Sequence, residues 1–87
     1  MQFMIEWKTK DPKASISRFL ESGHGISGPN VKVLTSAHVV GEGSGYLLVE
    51  ATHMSAIHAI TAKWADVLMT TCKPVISDEE AAGALKA

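Results

Sequence analysis

Five residues in the middle of the chain, Gly41-Glu42-Gly43-Ser44-Gly45, constrain its fold more than any others. Three glycines in five positions suit sharp turns and weaken any helix or strand interior, by roughly 1 kcal/mol each in a helix relative to alanine. β-patterned runs lie on both sides, at 30–40 and 46–51, so the stretch predicts a hairpin and makes those two strands antiparallel. It also resembles a phosphate-binding loop, but a strand follows it in place of a helix, and no Lys-Ser or Lys-Thr closes it.

The other elements arrange themselves around this hairpin. Over residues 2–8, Phe3, Ile5 and Trp7 alternate with Gln2, Met4, Glu6 and Lys8, the period of a strand. Asp11-Pro12 then offers an N-cap and a first-turn proline, and Ile16, Phe19 and Leu20 recur at helical spacing before Gly23. Residues 23–30, with Gly25, Gly28 and Pro29, predict a connection. After Thr52-His53, the stripe Ile57, Ile60, Thr61 and Trp64 predicts a second helix. Residues 67–76 are β-patterned around Pro74, which cannot donate to a ladder and so predicts an edge strand. Ser77 and Glu80 form a capping box ahead of Ala81, Ala82 and Leu85, predicting a short C-terminal helix that Gly83 weakens.

Strand, helix, strand, strand, helix, strand is the split βαβ order. It predicts an α+β, ferredoxin-like domain spanning residues 1–87: a four-stranded antiparallel sheet, two helices on one face and a terminal helix. Right-handed crossovers place the first and third strands at the centre and leave the other face uncovered.

Composition narrows the function. Hydrophobic residues make up 46% of the 87, which excludes a disordered chain. Eight basic against nine acidic residues give a net charge of -1, without the basic footprint that a nucleic acid or anionic membrane would require. Glu6, Lys8, Lys32, Glu50 and Lys63 interrupt every apolar stretch short of the roughly 20 residues of a membrane span. Cys72 is alone, so no internal disulfide forms, and no basic segment leads into an apolar N-terminal stretch. These features predict a cytoplasmic protein. A chain this short buries only roughly 60 to 65% of its unfolded surface, which predicts a partner subunit.

With a five-residue hairpin loop, Val40 opposes Tyr46, His38 opposes Leu48 and Ser36 opposes Glu50; an even loop would break this assignment. The uncovered face then carries Met4, Glu6, Leu34, Ser36, His38, Val40, Tyr46, Leu48 and Glu50, while Val33, Ala37 and Val39 lie under the helices. That mixture predicts a homodimer pairing two sheets face to face around a barrel-like space. A small molecule between the sheets would meet Glu6, Ser36, His38, Tyr46, Leu48 and Glu50. His38 and Glu50, diagonal at about 7 to 8 Å, are the candidate catalytic pair. The plainer reading makes them an interface histidine and a paired strand carboxylate.

No His-x-His, His-x-x-x-His or Cys-x-x-Cys spacing occurs, so neither a metal nor a cofactor is expected. Cys72 reads as a small hydrophobe, Trp7 and Trp64 as core, and His53 and His58 as solvent-facing.

Met4-Ile5-Glu6-Trp7, Arg18-Phe19-Leu20-Glu21, His38, the glycine-rich hairpin and Leu48-Val49-Glu50 follow one another in an order that resembles a known family. So do Trp64, Asp66-Val67-Leu68, Pro74-Val75 and Asp78-Glu79-Glu80-Ala81-Ala82. The family is the domain of unknown function 3303, related in fold to the dimeric α+β-barrel group. The resemblance implies a ferredoxin-like subunit, a dimer and no established activity, and His38 and Glu50 match residues the family tends to carry. The leading expectation is a small-molecule-binding homodimer. One alternative is a cofactor-independent monooxygenase or isomerase in which His38 moves a proton and Glu50 orients it. Another is a purely structural assembly domain.

Overall fold

The computed structural model describes residues 1–22 and 28–86. Its elements follow the expected order: β1 (Gln2–Thr9), α1 (Pro12–Glu21), β2 (Val31–Val39), β3 (Ser44–Ala51), α2 (Met54–Ala62), β4 (Leu68–Val75) and α3 (Asp78–Lys86). The four strands form one antiparallel sheet in the order β2-β3-β1-β4, so β1 and β3 are central and Pro74 lies on an edge strand. This is an α+β fold of ferredoxin-like arrangement. The predicted end of the first helix at Gly23, and His24 and Gly25 of the predicted connection, lie outside the described residues.

Local chemistry sets the helix boundaries. Asp11 caps α1 through its carboxylate, which accepts from the Ala14 amide at 3.1 Å, with Pro12 in the first turn. His53 caps α2: its Nδ1 accepts from the Ala56 amide at 3.2 Å, a role more often filled by Ser, Thr, Asp or Asn. Ser77 caps α3 by accepting from the Glu80 amide at 3.1 Å, and the Glu80 carboxylate in turn accepts from the Ser77 hydroxyl. Trp64 falls in the turn after α2, yet it is only 8% exposed and completes the stripe begun by Ile57 and Ile60.

One side of the sheet carries the core. Phe3 and Ile5 of β1, and Leu47, Val49 and Ala51 of β3, pack beneath Ile57, Ile60 and Trp64. Among the described residues, α1 buries only Ser15, and α3 buries none.

The hairpin departs from its expected register. Its loop is the four residues 40–43, closed by Val39 opposite Ser44, with Gly41 and Gly43 at φ 79° and 63° supplying left-handed turns. A β-bulge lies between Val33 and Thr35, so Leu34 is the extra residue on β2. Beyond it Thr35 opposes Leu48, Ser36 opposes Leu47, Ala37 opposes Tyr46 and His38 opposes Gly45. Because side chains alternate, Ser36 and His38 face the helices, and Ala37 and Val39 face away, the reverse of the expectation. Val40 lies in the loop.

The barrel and homodimer expectations are corrected with it. The sheet is open, with β2 and β4 as its two edges. The uncovered face loses Ser36, His38 and Val40, which were to form much of the pairing surface. It carries Lys32 opposite Glu50, and a Glu6–Lys73 ion pair at 3.7 Å. Among the described residues, no histidine and glutamate meet there.

Candidate functional site

The exchange of faces moves the centre of interest to the helix side. His38, Gly45 and Trp7 form one cross-strand row, on β2, β3 and β1. The middle position has no side chain, and the indole of Trp7 lies in that space. A methyl built on Gly45 would come within 2.5 and 2.7 Å of the Trp7 ring and would also press on the Ala37 carbonyl oxygen. Gly45 therefore lets two rings on non-adjacent strands meet: the Trp7 and His38 centroids are 5.2 Å apart, at 75°. Phe19 of α1 meets the same imidazole at 5.2 Å and 78°. Edge-to-face pairs of this kind contribute about 0.5–1.5 kcal/mol each, enough to hold an exposed ring in place.

The way α1 is held leaves a space beside this cluster. On one side of the helix the Ser15 hydroxyl donates to the Asp11 carbonyl at 2.7 Å and lies 3.3 Å from the Val67 carbonyl. It also meets the Thr9 hydroxyl. One turn further, the Arg18 guanidinium donates to both Asp66 carboxylate oxygens at 2.6 Å and to the Lys63 carbonyl at 3.1 Å, with its carbon 5.7 Å from the Trp64 ring centre. This pairing raises the Arg18 pKa and lowers that of Asp66 below the usual carboxylate range, chiefly through the hydrogen bonds between them. The helix is thus tied to the α2–β4 turn along its Ser15 and Arg18 side. Ile16 and Leu20, on the other side, remain 60% and 61% exposed.

Between that overhanging side and the sheet lies a cavity of about 390 Å³. Its floor is Trp7, Leu47 and Leu68 of the sheet, its roof Ile16, Phe19 and Leu20 of α1, and Trp64 from the turn after α2 also lines it. Ser36 and His38 stand at the edge strand and bring polar atoms to the lining. None of the described lining residues is Asp, Glu, Lys or Arg.

Of the six residues expected to bind a ligand, only Ser36 and His38 reach this cavity. Glu6, Tyr46, Leu48 and Glu50 lie on the opposite face, where Glu6 and Tyr46 border a separate hollow of about 320 Å³. His38 and Glu50 are therefore separated by the sheet, and the geometry offers no acid/base relay between them. Cys72 faces the helices opposite Ile5, and burial pushes its thiol pKa up, away from the reactive thiolate. No group of three or more His, Cys, Asp or Glu side chains among the described residues is placed to hold a metal ion.

Sequence reasoning missed Trp7, Phe19 and Gly45 as site residues. Gly45 carried the available signal: a glycine continuing into a strand marks a place where something approaches the backbone closely.

One family model, described as Domain of unknown function (DUF3303), matches residues 1–87. No curated protein and no solved structure matches the chain.

Proposed function

The chain belongs to the DUF3303 family, whose description names no activity, and from the geometry of the site we propose that it binds a small, uncharged, largely apolar molecule between α1 and the sheet. The observation that carries this reading is the cavity of about 390 Å³, walled by aromatic and aliphatic side chains. Its size is within the roughly 300–1,000 Å³ of small-molecule sites, and two of its polar side chains, Ser36 and His38, stand together on the edge strand β2. A charged ligand would find no counter-ion among the described lining residues, since Arg18 nearby is committed to Asp66. The reading keeps the small-molecule ligand expected from the sequence and moves it to the other side of the sheet. A cytoplasmic setting accompanies it, consistent with the lone free thiol of Cys72. No helix among the described residues is long and apolar enough to cross a membrane.

The chain has two tryptophans, Trp7 and Trp64, and both line the cavity, so intrinsic fluorescence reports its occupancy directly. Titration with N-phenyl-1-naphthylamine, a neutral aromatic fluorophore, is expected to quench both saturably, at one probe per chain. The double variant Ile16→Trp, Leu20→Trp fills the space from the exposed side of α1 and is expected to abolish probe binding while the far-ultraviolet circular dichroism stays unchanged. Absence of saturable binding to the wild-type protein, or undiminished binding to the filled variant, would overturn the reading.

A further inference from the structure

Resting on that reading, we infer that His38 selects the ligand: the site takes neutral aromatic molecules bearing a hydroxyl group, which donates a hydrogen bond to the imidazole. The imidazole meets Trp7 and Phe19 through ring contacts, and its nitrogens have no hydrogen-bond partner among the described residues. Two ring contacts at 5.2 Å from different elements, β1 and α1, fix its plane in advance, so little side-chain freedom remains to be lost when a ligand binds.

The other polar side chains of the lining are differently placed. Thr9 and Ser15 bond to each other and to the Val67 carbonyl, which leaves them occupied with holding α1. Ser36 shares the face of His38 one pleat away but carries a rotatable hydroxyl that no ring contact orients. The indole of Trp7, half-buried in the lining among apolar side chains, suits an aromatic body. The imidazole at the edge strand supplies an acceptor where that body would carry a polar substituent. An ionised substituent is disfavoured because the described lining has no fixed charge of either sign. The chemistry that fits is thus a phenol or naphthol-like compound.

The test is competition against bound N-phenyl-1-naphthylamine by 2-naphthol and by 2-methoxynaphthalene, which has nearly the same shape but no proton to donate. One net hydrogen bond predicts that the naphthol displaces the probe at about three- to tenfold lower concentration than the ether. His38→Phe keeps a ring against Trp7 and Phe19 while removing both nitrogens. In that variant, with displacement read against the probe affinity measured for the variant itself, the two competitors are expected to become equivalent. Equal competition in the wild-type protein, or a naphthol preference that survives His38→Phe and so belongs to Ser36, overturns this inference while leaving the cavity reading intact. Failure of the probe itself to bind overturns the cavity reading, and this inference with it.

Discussion

Gly45 determines what the middle of the site can be. In most strands replacing glycine by alanine improves packing and lowers the entropy lost on folding. At Gly45 the added methyl would overlap the Trp7 indole and the Ala37 carbonyl, so a half-buried ring or the β2–β3 pairing must shift. Gly45→Ala is therefore expected to destabilise the protein by about 1–3 kcal/mol, the usual range for overpacking. Urea unfolding followed by tryptophan fluorescence measures this, and an unchanged midpoint would show that the indole moves aside freely. Single residues also mark the limits of the sequence reading. His53 shows no cap signature in the sequence, because imidazole caps helices through an acceptor nitrogen that side-chain statistics seldom favour. Ser15 reads as an ordinary polar position within α1, and only its bonds to Asp11 and Val67 show why it is buried.

At the scale of elements, α1 carries the clearest consequence. Periodicity placed the helix and its apolar stripe, and Asp11 and Pro12 marked its start. What periodicity could not show is that Ile16 and Leu20 of the stripe stay largely exposed, because the anchors are Ser15 and Arg18, polar residues whose partners lie more than fifty and more than forty positions away in sequence. The Arg18–Asp66 pair should make the attachment of α1 sensitive to acid. Asp66 has a carboxyl pKa lowered in the folded protein, so its contribution is fully present above the ordinary carboxylate range and is lost as pH falls through the lowered value. Both side chains are solvent-exposed, so the effect is expected to be local to α1. Hydrogen exchange is expected to show α1 amides losing protection on acidification. Asp66→Asn should produce the same loss at neutral pH and remove its pH dependence. Equal α1 protection in the variant and the wild type would rule out the tether. The sheet edges needed no such correction. Pro74 identified β4 as an outer strand from the sequence, and the same proline with Lys73 discourages further pairing there.

Across the whole molecule, the element order, the central strands and the terminal helix were legible from hydrophobic period and turn residues, because those depend on local chemistry. The face of each β2 residue was not, because it depends on counting through a hairpin whose loop length and bulge are set by contacts with β3. That count alone placed Ser36 and His38 among the expected residues of one surface and the structure places them on the other. The molecule is also uneven in its support: the core lies between the sheet and α2, while α3 buries nothing and Leu85 is 87% exposed. Ending the chain after Ile76 is therefore expected to leave the unfolding free energy within about 0.5 kcal/mol of the full chain, as for other surface changes. A larger loss on thermal or urea unfolding would reveal contacts of α3 that its exposure does not suggest.

The unpaired Leu34 gives the far end of β2 a dependence on parity. Between that position and the turn, odd and even residues trade sides whenever the count changes by one. Two homologous chains could match at every shared position of this segment and still offer different walls to a guest molecule if one carried a single inserted residue. Comparing such chains by residue identity alone would miss the change; the spacing between Val33 and Gly45 would reveal it.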